Sequence, residues 1–421
     1  MNTPKIRFKG FKDDWEQRKL GEVLVSLQNN TLSRADLSNE TGIAKNVHYG
    51  DVLIKFGEVL DVSEEKLPMI SDKSVLTKYK ASFLQNGDVI VADTAEDSTV
   101  GKCSEIAGLN DEVVLSGLHT IPYRPIEKFA SGYLGYYLNS SAYHKQLIPL
   151  MQGIKVTSIS KSAMQNTEIV YPKSVEEQGK IGNYFQSLDH LITLHQRKCD
   201  ETKQLKKFML QKMFPKNGEK NPEIRFEGFT DDWEQRKLID YLDVSNEKNK
   251  KGDYKKTDVL SVSGEVGIVN QIEFQGRSFA GVSVENYGIV NAGDVVYTKS
   301  PLKANPYGII KTNKGKVGIV STLYAVYKPK ENTDSNFVQI YFELDSRMNS
   351  YMHPLVNKGA KNDMKVSDEN ALKGNVTFPK INEQKAISNF ITELDHLITL
   401  HQRKCEKLKE LKKFMLQNMF V

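Results

Sequence analysis

Polar side chains that could contact a ligand follow two short Gly-Asp-Val runs, one starting at Gly87 and the other at Gly293. A further Gly-Lys segment precedes each of two long stretches with helical periodicity. Hydroxyl, amide and ammonium groups bond to base edges and phosphate oxygens, so both kinds of segment are candidates for DNA contacts. The alternative for any single residue is a solvated loop position. The candidates are Thr94, Ser98, Lys102, Lys155, Thr157, Lys161, Lys299, Ser300, Lys303, Tyr307, Lys361, Asn362 and Lys365.

Motifs for catalysis are missing or incomplete. There is no GxxxxGK[ST] phosphate loop, no strand followed by GxGxxG, and no HExxH, paired-cysteine or GxSxG motif. The tripeptide from Asn305 to Tyr307 lacks one proline of the adenine methyltransferase tetrapeptide. Glu64 and Lys66 lack the Pro-Asp that a nuclease site would need. We therefore expect no catalytic residue and no metal site in this chain.

The composition is that of an ordinary globular protein with a mildly basic balance. Of 421 residues, 39% are hydrophobic and 26% are charged, and the net charge is +5. This charge permits nucleic acid as a partner without proving it.

No apolar run suits a signal peptide or reaches the ~18 to 20 residues of a membrane span, so we expect a cytoplasmic protein without membrane contact. Three scattered cysteines exclude a disulfide framework, and we expect Cys199 and Cys405 to be small apolar fillers on helices.

Two blocks of sequence occur twice. LDHLITLHQRKC at 188–199 recurs letter for letter at 394–405, and IRFKGFKDDWEQRKL from Ile6 recurs as IRFEGFTDDWEQRKL from Ile224. The material between the blocks differs in length and almost throughout in sequence. Repeats of this kind indicate two similar halves. Because the segment after the first long stretch matches the start of the chain, we expect the two termini to lie near one another.

The first repeated block has the apolar spacing of a long helix. Apolar residues recur at intervals of four and three, the a/d pattern of a coiled coil, with a phase shift at Leu411 and Met415. A helix of about 36 residues would be about 54 Å long. Its apolar stripe must be buried, and we expect the two copies to pack antiparallel on each other. The expected seam is Ile181, Phe185, Leu188, Ile192, His195, Cys199 and Thr202, then Ile387, Ile391, Leu394, Ile398, His401, Cys405 and Leu408.

Between the repeated blocks lie two segments, here called the heads, that are rich in short β-prone runs broken by Gly, Asn and Asp. A helical run follows in each, which indicates the α+β class. The fold expected is a pseudo-twofold repeat of two globular β-rich α+β heads separated by two long helices packed as an antiparallel coiled coil. The boundaries are 1–172 for the first head (repeat segment 6–20), 173–214 for the first long helix, 215–223 for a linker, 224–378 for the second head (repeat segment 224–238) and 379–421 for the second long helix.

Two different heads on two long helices would suit a protein that reads two short DNA elements at a fixed distance. One turn of B-DNA is about 34 to 36 Å, within reach of helices about 54 Å long. Because the heads differ in sequence, the predicted target is bipartite and asymmetric rather than palindromic.

The chain resembles the specificity subunits of type I restriction-modification systems, in which two target-recognition domains alternate with two conserved helical regions. The resemblance is carried by the YPKSVEEQ and FPKINEQ starts of the long helices, the Leu-Asp pairs in the seam, the Gly-Asp-Val runs and the two DDWEQRKL segments. It covers nearly all of the chain, and the second helix start is one residue shorter than the first.

The resemblance implies a set of partners. Subunits of this kind bind double-stranded DNA, two methyltransferase subunits and two ATP-dependent endonuclease subunits that translocate DNA. S-adenosylmethionine, ATP and Mg²⁺ are expected on those partners, and no cofactor is expected on this chain. The helical pair would serve both as a ruler between half-sites and as a docking surface.

Two other classes of function stay open. A stand-alone bipartite DNA-binding regulator would have no methyltransferase partner, so co-purification discriminates it. An enzyme with an unrecognised catalytic motif would transfer methyl groups without a partner. A purely structural coiled-coil spacer is disfavoured, because two large and dissimilar heads would then have no role.

Overall fold

The protein forms two compact units, each containing one head and parts of both long helices. The structure, a computed structural model, describes residues 3–216, 218–299, 305–358 and 364–421. The first unit comprises residues up to Gln196 together with Gln402–Val421, and the second comprises Arg197–His401. Each predicted long helix therefore contributes one half to each unit.

Short elements build the heads, and two helices of 38 residues each occupy the repeated blocks. The α-helices of the described residues are α1 (Leu20–Val23), α2 (Tyr49–Ile54), α3 (Lys73–Lys78), α4 (Tyr133–Leu138), α5 (Ser141–His144), α6 (Lys161–Gln165), α7 (Val175–Lys212), α8 (Gln271–Gln275), α9 (Ser335–Tyr341), α10 (Asp345–Met352) and α11 (Ile381–Asn418). The strands of the first head are β1 (Glu16–Lys19), β2 (Leu24–Ser26), β3 (Ala44–Val47), β4 (Val59–Asp61), β5 (Met69–Ile70), β6 (Val89–Ala92), β7 (Thr94–Ala95), β8 (Cys103–Ala107), β9 (Val114–Ser116), β10 (Thr120–Pro125), β11 (Thr157–Ser158) and β12 (Glu168–Tyr171). Those of the second head are β13 (Glu234–Lys237), β14 (Leu242–Val244), β15 (Leu260–Ser263), β16 (Gly267–Asn270), β17 (Gly288–Val290), β18 (Val295–Thr298), β19 (Ile310–Thr312), β20 (Gly318–Val320), β21 (Tyr324–Pro329), β22 (Asn357–Lys358), β23 (Met364–Lys365) and β24 (Asn375–Phe378).

The first head is built on a five-stranded sheet in the order β2-β10-β6-β8-β4. β4 runs parallel to β8, and the other pairs are antiparallel. A three-stranded sheet, β5-β3-β9, and two ladders, β1-β12 and β11-β7, complete the head. The β1-β12 ladder places Glu16 opposite Tyr171, so the repeated DDWEQRKL segment is tied to the strand that leads into α7.

The second head retains the ladder between the repeated segment and the strand before the long helix, and its other sheets differ from those of the first head. Its main sheet has four antiparallel strands in the order β14-β21-β18-β19. The β13-β24 ladder places Glu234 opposite Phe378, the counterpart of the β1-β12 ladder. Three further two-stranded ladders, β15-β16, β17-β20 and β22-β23, have a different arrangement from the three-stranded sheet of the first head. The prediction of one α+β fold with two different surfaces is confirmed.

The long helices pack antiparallel in the first unit. Lys412 of α11 contacts Asp189 of α7, with 2.7 Å between Nζ and Oδ1. Further along α7, Gln196 lies opposite Cys405, 3.7 Å from Oε1 to Sγ. From the first contact to the second, the residue number rises along α7, from 189 to 196, and falls along α11, from 412 to 405. The two helices therefore run in opposite directions.

The second unit repeats this pairing. Cys199 of α7 lies 3.9 Å from the carbonyl oxygen of Ile398, and Lys206 contacts Asp395 at 2.6 Å. All fourteen residues of the predicted seam are buried or partly buried. Cys199 and Cys405 are buried thiols, which confirms the prediction of small fillers on helices.

Part of the seam extends the core of a head. In the first unit Ile181, Phe185 and Leu188 belong to the same buried cluster as Trp15 of the head. The Phe185 ring lies 5.1 Å from that of Tyr136 in the head, centroid to centroid. We expected the apolar stripe of each long helix to be buried by the other long helix. The head also buries part of that stripe, so this expectation was incomplete.

The predicted phase shift at Leu411 and Met415 is wrong. Leu411 is 40% exposed, whereas the side chain of Lys412 is 16% exposed. The four-three spacing continues from Leu408 through Lys412 and Met415 to Met419. A lysine occupies a seam position because carboxylates on the facing elements pair with it.

The chain ends are joined as the repeat predicts. The Ile6 amide donates to the carbonyl oxygen of Asn418 at 2.9 Å, and the Ile224 amide donates to that of Lys212 at 3.0 Å. The segment at the start of the chain thus follows the end of α11 in space, as the segment from Ile224 follows the end of α7 through the linker. The prediction of neighbouring termini is confirmed.

Candidate nucleic-acid interface

Arginine–glutamate pairs anchor the repeated segments to the long helices. Arg7 donates to both carboxylate oxygens of Glu177, at 2.6 and 2.9 Å. Arg225 makes the same two bonds to Glu383, at 2.7 and 2.8 Å. Both glutamates are buried. Paired N–H···O bonds between planar groups fix direction as well as distance, so each pair sets how a head begins relative to its helix.

The glutamine beside each glutamate ties the head to the helix start. Gln178 accepts from the amide of Ala130 at 3.0 Å and donates to the carbonyl oxygen of Pro172 at 2.8 Å. Gln384 accepts from the amide of Asp334 at 2.9 Å in the second unit. The Glu-Gln pairs are therefore positioning residues of the scaffold.

A third link is the lysine in the seam. Lys412 donates to Glu58 of the first head at 2.8 Å as well as to Asp189 of α7. Lys206 donates to Glu343 of the second head and to Asp395 of α11, both at 2.6 Å. One ammonium group thus joins a head to both long helices in each unit. Its head partner, Glu58 or Glu343, comes from a part of the chain that is not repeated.

These contacts also set the charge state of the lysine in the second unit. Burial opposes the charge of Lys206, but Glu343 and Asp395 outweigh burial and raise its pKa. The ammonium form is therefore the one that the folded unit holds.

In the first head, the structure brings the two predicted loops together. The β11-β7 ladder pairs Thr157 with Ala95 and Ser158 with Thr94. The amides and carbonyls of Gln152 and Ser158 also bond to each other, at 2.9 and 2.8 Å. The Gly-Lys segment consequently forms a short hairpin beside the loop after the Gly-Asp-Val strand.

The tip of this hairpin projects into solvent. Gly153 has φ +113°, and a Cβ there would lie 2.0 Å from the Val156 carbonyl oxygen, so the turn requires glycine. Ile154 and Lys155 are exposed at the tip. Two other candidates are also exposed, Ser98 in the neighbouring loop and Lys161 at the start of α6. These side chains are accessible to a ligand of the first head.

Lys102 is occupied within the head. Its ammonium group donates to the carbonyl oxygens of Leu53 and Phe56, at 2.9 and 3.0 Å. Burial lowers the pKa of Lys102. Two of its three protons therefore hold the C-terminal end of α2 in place.

Sequence reasoning missed His119, which lies near this surface. Its backbone has φ +55°, the left-handed region that non-glycine residues rarely adopt. The ring packs edge-on against Tyr49 at 5.3 Å, and Nδ1 lies 3.5 Å from Asp93 Oδ1. Buried Ser116 and Thr120, 2.6 Å apart through their hydroxyls, hold the turn that carries it. Nothing in the SGLHT sequence at 116–120 predicts the left-handed backbone conformation of His119.

The candidates of the second head have mixed positions. Lys299 forms an ion pair with Asp368 at 2.9 Å. Tyr307 is 7% exposed and belongs to the core of the head. Lys365 lies in β23, opposite Asn357 of β22. The other candidates, Ser300, Lys303, Lys361 and Asn362, lie outside the described residues.

A lysine-rich stretch of the second head was also missed. NEKNKKGDYKK at 246–256 contains five lysines, and all five are exposed. The signal was visible as five lysines against two acids, Glu247 and Asp253, an excess of positive charge that is typical of a nucleic-acid contact.

Metal-binding and membrane-spanning features are absent from the described part of the chain. No cluster of three or more His, Cys, Asp or Glu side chains in residues 3–216, 218–299, 305–358 and 364–421 could hold a metal ion. No helix in those ranges is long and apolar enough to span a bilayer.

The family model of the type I restriction modification DNA specificity domain matches the chain twice, at 12–204 and at 230–410. The chain belongs to this family. Each match begins near a repeated DDWEQRKL segment and runs through one head into a long helix. The specificity subunit therefore consists of two such domains, and DNA sequence recognition is its function.

Relatives of the specificity subunit have the same extent. The MjaX type I restriction enzyme specificity subunit of Methanocaldococcus jannaschii is 23% identical over 435 residues, covering 98% of this chain and 94% of the relative. The type I restriction-modification S subunit of M. genitalium has the same fold, with a TM-score of 0.59, 13% identity, and coverage of 100% of this chain and 99% of that one. The HsdS subunit of Thermoanaerobacter tengcongensis gives a TM-score of 0.45 at 16% identity, with 98% of each chain covered.

Proposed function

We propose that each head of this specificity subunit reads one half of an asymmetric bipartite site in duplex DNA. The observation that carries the proposal is a repeated scaffold around unlike heads. The Arg7–Glu177 pair recurs as Arg225–Glu383, while the main sheets have five and four strands. Two equivalent supports that carry unequal reading surfaces suit two unequal half-sites.

In the first head, we assign DNA contacts to the hairpin and the loop beside it. The exposed groups of Ser98, Lys155 and Lys161 and the partly buried hydroxyls of Thr94 and Thr157 can contact base edges or phosphates, although the Thr94 hydroxyl donates to Asp93 at 2.7 Å within the head. In the second head the assignment stays with the chain segments that follow β18 and precede α11. We set aside Lys102, Lys299 and Tyr307, which are bonded or buried within their heads. The proposed contacts are Thr94, Ser98, Lys155, Thr157, Lys161, Ser300, Lys303, Lys361, Asn362 and Lys365.

We infer that the helical pair sets the spacer between the half-sites. A helix of 38 residues is about 57 Å long at 1.5 Å per residue. Half-sites about one turn of B-DNA apart, about 34 to 36 Å, fall within that length.

We further propose that the long helices dock two methyltransferase subunits. Six leucine and phenylalanine side chains on α7 and α11 are between 40% and 53% exposed, and they form three repeat-equivalent pairs. Each unit therefore presents a similar apolar face, and two similar faces suit two copies of one partner. The pairs are Leu191 with Leu397, Leu205 with Leu411, and Phe208 with Phe414.

The chemistry then belongs to the partners. We propose that this chain catalyses no step, that S-adenosylmethionine sits on the methyltransferase subunits, and that two endonuclease subunits bring ATP and Mg²⁺. In this arrangement the chain directs adenine methylation or ATP-dependent cleavage to its site, and it works in the cytoplasm where DNA and methyl donor meet.

Methylome sequencing tests the half-site proposal. Cells that express this chain with its methyltransferase subunit are compared with cells that lack only this chain. We expect a new asymmetric bipartite motif with N6-methyladenine on both strands. No new motif in the presence of an active methyltransferase would favour a stand-alone DNA-binding regulator. Methyl transfer by the purified chain alone would favour the enzyme alternative.

A further inference from the structure

The second head carries an exposed lysine loop at residues 246–256. Its five lysines have no carboxylate within ion-pair distance among the described residues. Of the two acids in the loop, Glu247 is paired with Lys328 at 2.5 Å, and exposed Asp253 pairs with none of the five lysines, so the loop has a net charge of 5 − 2 = +3. The positive charge of the loop is therefore left for an outside partner. The lysines are Lys248, Lys250, Lys251, Lys255 and Lys256.

The loop is held by a buried residue. Asn249, 2% exposed, donates to the carbonyl oxygen of Tyr254 at 2.8 Å and accepts from the Tyr254 amide at 3.0 Å. Its own amide donates to the carbonyl oxygen of Tyr287 at 3.0 Å. At the end of the loop, the Lys255 amide donates to Asp258 at 2.7 Å. Since the frame satisfies its own hydrogen bonds, the lysines are presented on an ordered backbone.

An exposed apolar segment adjoins the loop. Lys250 donates to the side-chain oxygen of Asn286 at 2.5 Å, which links the loop to the segment at 277–286. On that segment Phe279 is exposed, with the Arg277 guanidinium 4.6 Å from its ring centre, and Val282 is almost fully exposed. Ammonium groups beside exposed apolar side chains are what a DNA groove with its flanking phosphates would contact.

The two heads also differ in net charge. Residues 21–171 contain 13 Lys and Arg against 18 Asp and Glu, a balance of −5. Residues 239–378 contain 18 Lys and Arg against 16 Asp and Glu, a balance of +2. Attraction to phosphates is the salt-dependent part of DNA binding. On net charge, the second head is better suited to it than the first.

We propose that the lysine loop binds DNA phosphates, that Phe279 and Val282 enter the adjoining groove, and that the second head supplies most of the salt-dependent affinity. This inference rests on the proposed function and adds a division of labour to it. The first head, with its negative balance, contributes mainly contacts to base edges. The occupant is duplex DNA because lysines without carboxylate partners match a row of phosphates.

The test measures the salt dependence of DNA affinity for the complex with methyltransferase subunits. The probes are a duplex of about 40 base pairs carrying the methylome-derived motif and a scrambled duplex of the same length. Each phosphate contact contributes about 0.9 to the slope of log K against log salt. Substituting Lys248→Gln, Lys250→Gln and Lys251→Gln together should therefore reduce the slope by about 2 to 3 on both duplexes.

A matched variant of the first head serves as the control. Lys73, Lys78 and Lys80 are also three exposed lysines close together in the sequence. Their replacement by Gln should leave the slope within about 0.5 of the original. Equal losses in the two triple variants, or no loss in the second-head variant, would overturn the proposal. Loss of endonuclease-subunit binding with an unchanged slope would also overturn it, since the loop would then contact protein.

The apolar part has its own test. Phe279→Ser with Val282→Ser should lower affinity about tenfold at every salt concentration without changing the slope, since no charge is removed. Unchanged affinity would remove these side chains from the interface. If the wild-type complex does not discriminate the motif from the scrambled duplex, the proposed function fails. If it discriminates and the slopes do not move, only the lysine-loop inference fails.

Discussion

Lys412 donates to Asp189 across the helical pair of the first unit, and Lys206 donates to Asp395 in the same way in the second. Each lysine stands at a seam position where the spacing calls for an apolar residue. A single polar residue in an apolar seam lowers the number of registers in which two helices can pack. Since each lysine also binds a head carboxylate, it couples helix register to head position.

Removing this lysine should loosen the first unit. Lys412→Ala leaves two carboxylates without their cation, and we expect a loss of about 1 to 3 kcal/mol in the free energy of unfolding, reduced by the partial exposure of Asp189. Thermal unfolding can be followed by Trp15 fluorescence in a Trp233→Phe background, because Trp15 lies in the first unit. Lys404→Ala, an exposed lysine on the same helix, is the control. Equal melting temperatures for the two variants would contradict the coupling.

The first unit should become less stable as pH rises towards neutrality. Buried Glu105 accepts from the amides of Gly132 and Gly135 at the start of α4, at 2.6 and 3.0 Å, and burial raises its pKa to about 7. An unfolded Glu has a pKa near 4.3, so between the two values the folded unit binds a proton that the unfolded chain has lost. The stabilisation is present in full below about pH 4.3 and is lost as pH rises to about 7.

The measurement for Glu105 compares unfolding at pH 5 and pH 8 by Trp15 fluorescence. Glu105→Gln carries no titrating group, so the decrease between these pH values should be smaller in the variant by about 1 to 3 kcal/mol. The same pH dependence in wild type and variant would show that another group titrates.

Each unit should dock one methyltransferase subunit. Leu411→Glu with Phe414→Glu places charges on the face of the first unit, and native mass spectrometry should show one methyltransferase copy where the wild type has two. Leu205→Glu with Phe208→Glu should do the same for the second unit. Leu323→Glu, at an exposed position in the second head, is the control and should keep both copies. Retention of two copies by both double variants would place the docking surface elsewhere.

Lengthening the helices should lengthen the DNA spacer. Seven helical residues inserted after Gln196 and seven after His401, at the boundary between the units, add about 10.5 Å, or about three base pairs. Methylome sequencing should return both half-sites with a longer spacer. Seven residues inserted in the linker at 215–223 should leave the spacer unchanged. An unchanged spacer in the helix variant would remove the ruler role.

The sequence was most informative where it repeats itself. The helices, their seam and their antiparallel packing follow from spacing, because a strict four-three pattern over many turns has few ways to be buried. The seam positions of Lys206 and Lys412 carry a charged residue where the four-three pattern expects an apolar one. The predicted phase shift of the pattern at Leu411 was wrong for this reason. The burial of these two lysines depends on Glu58 and Glu343, which come from distant parts of the chain.

The site was predicted less completely than the scaffold. The first-head loops chosen from the Gly-Asp-Val and Gly-Lys segments do come together, through the β11-β7 ladder. Lys102 and Tyr307 have residue types that suit DNA, but distant carbonyls and core packing decide where their side chains lie. The five lysines of the lysine loop are visible in the sequence as an excess of positive charge, although no motif marks them.

Exchange of one head tests the two-head reading most directly. Residues 20–172 are replaced by the corresponding segment of a relative with a known and different target, and the methylome is sequenced with the same methyltransferase subunit. We predict that one half-site changes to that of the relative while the other half-site and the spacer stay as they were. A change in both half-sites, or in neither, would contradict recognition by two separate heads.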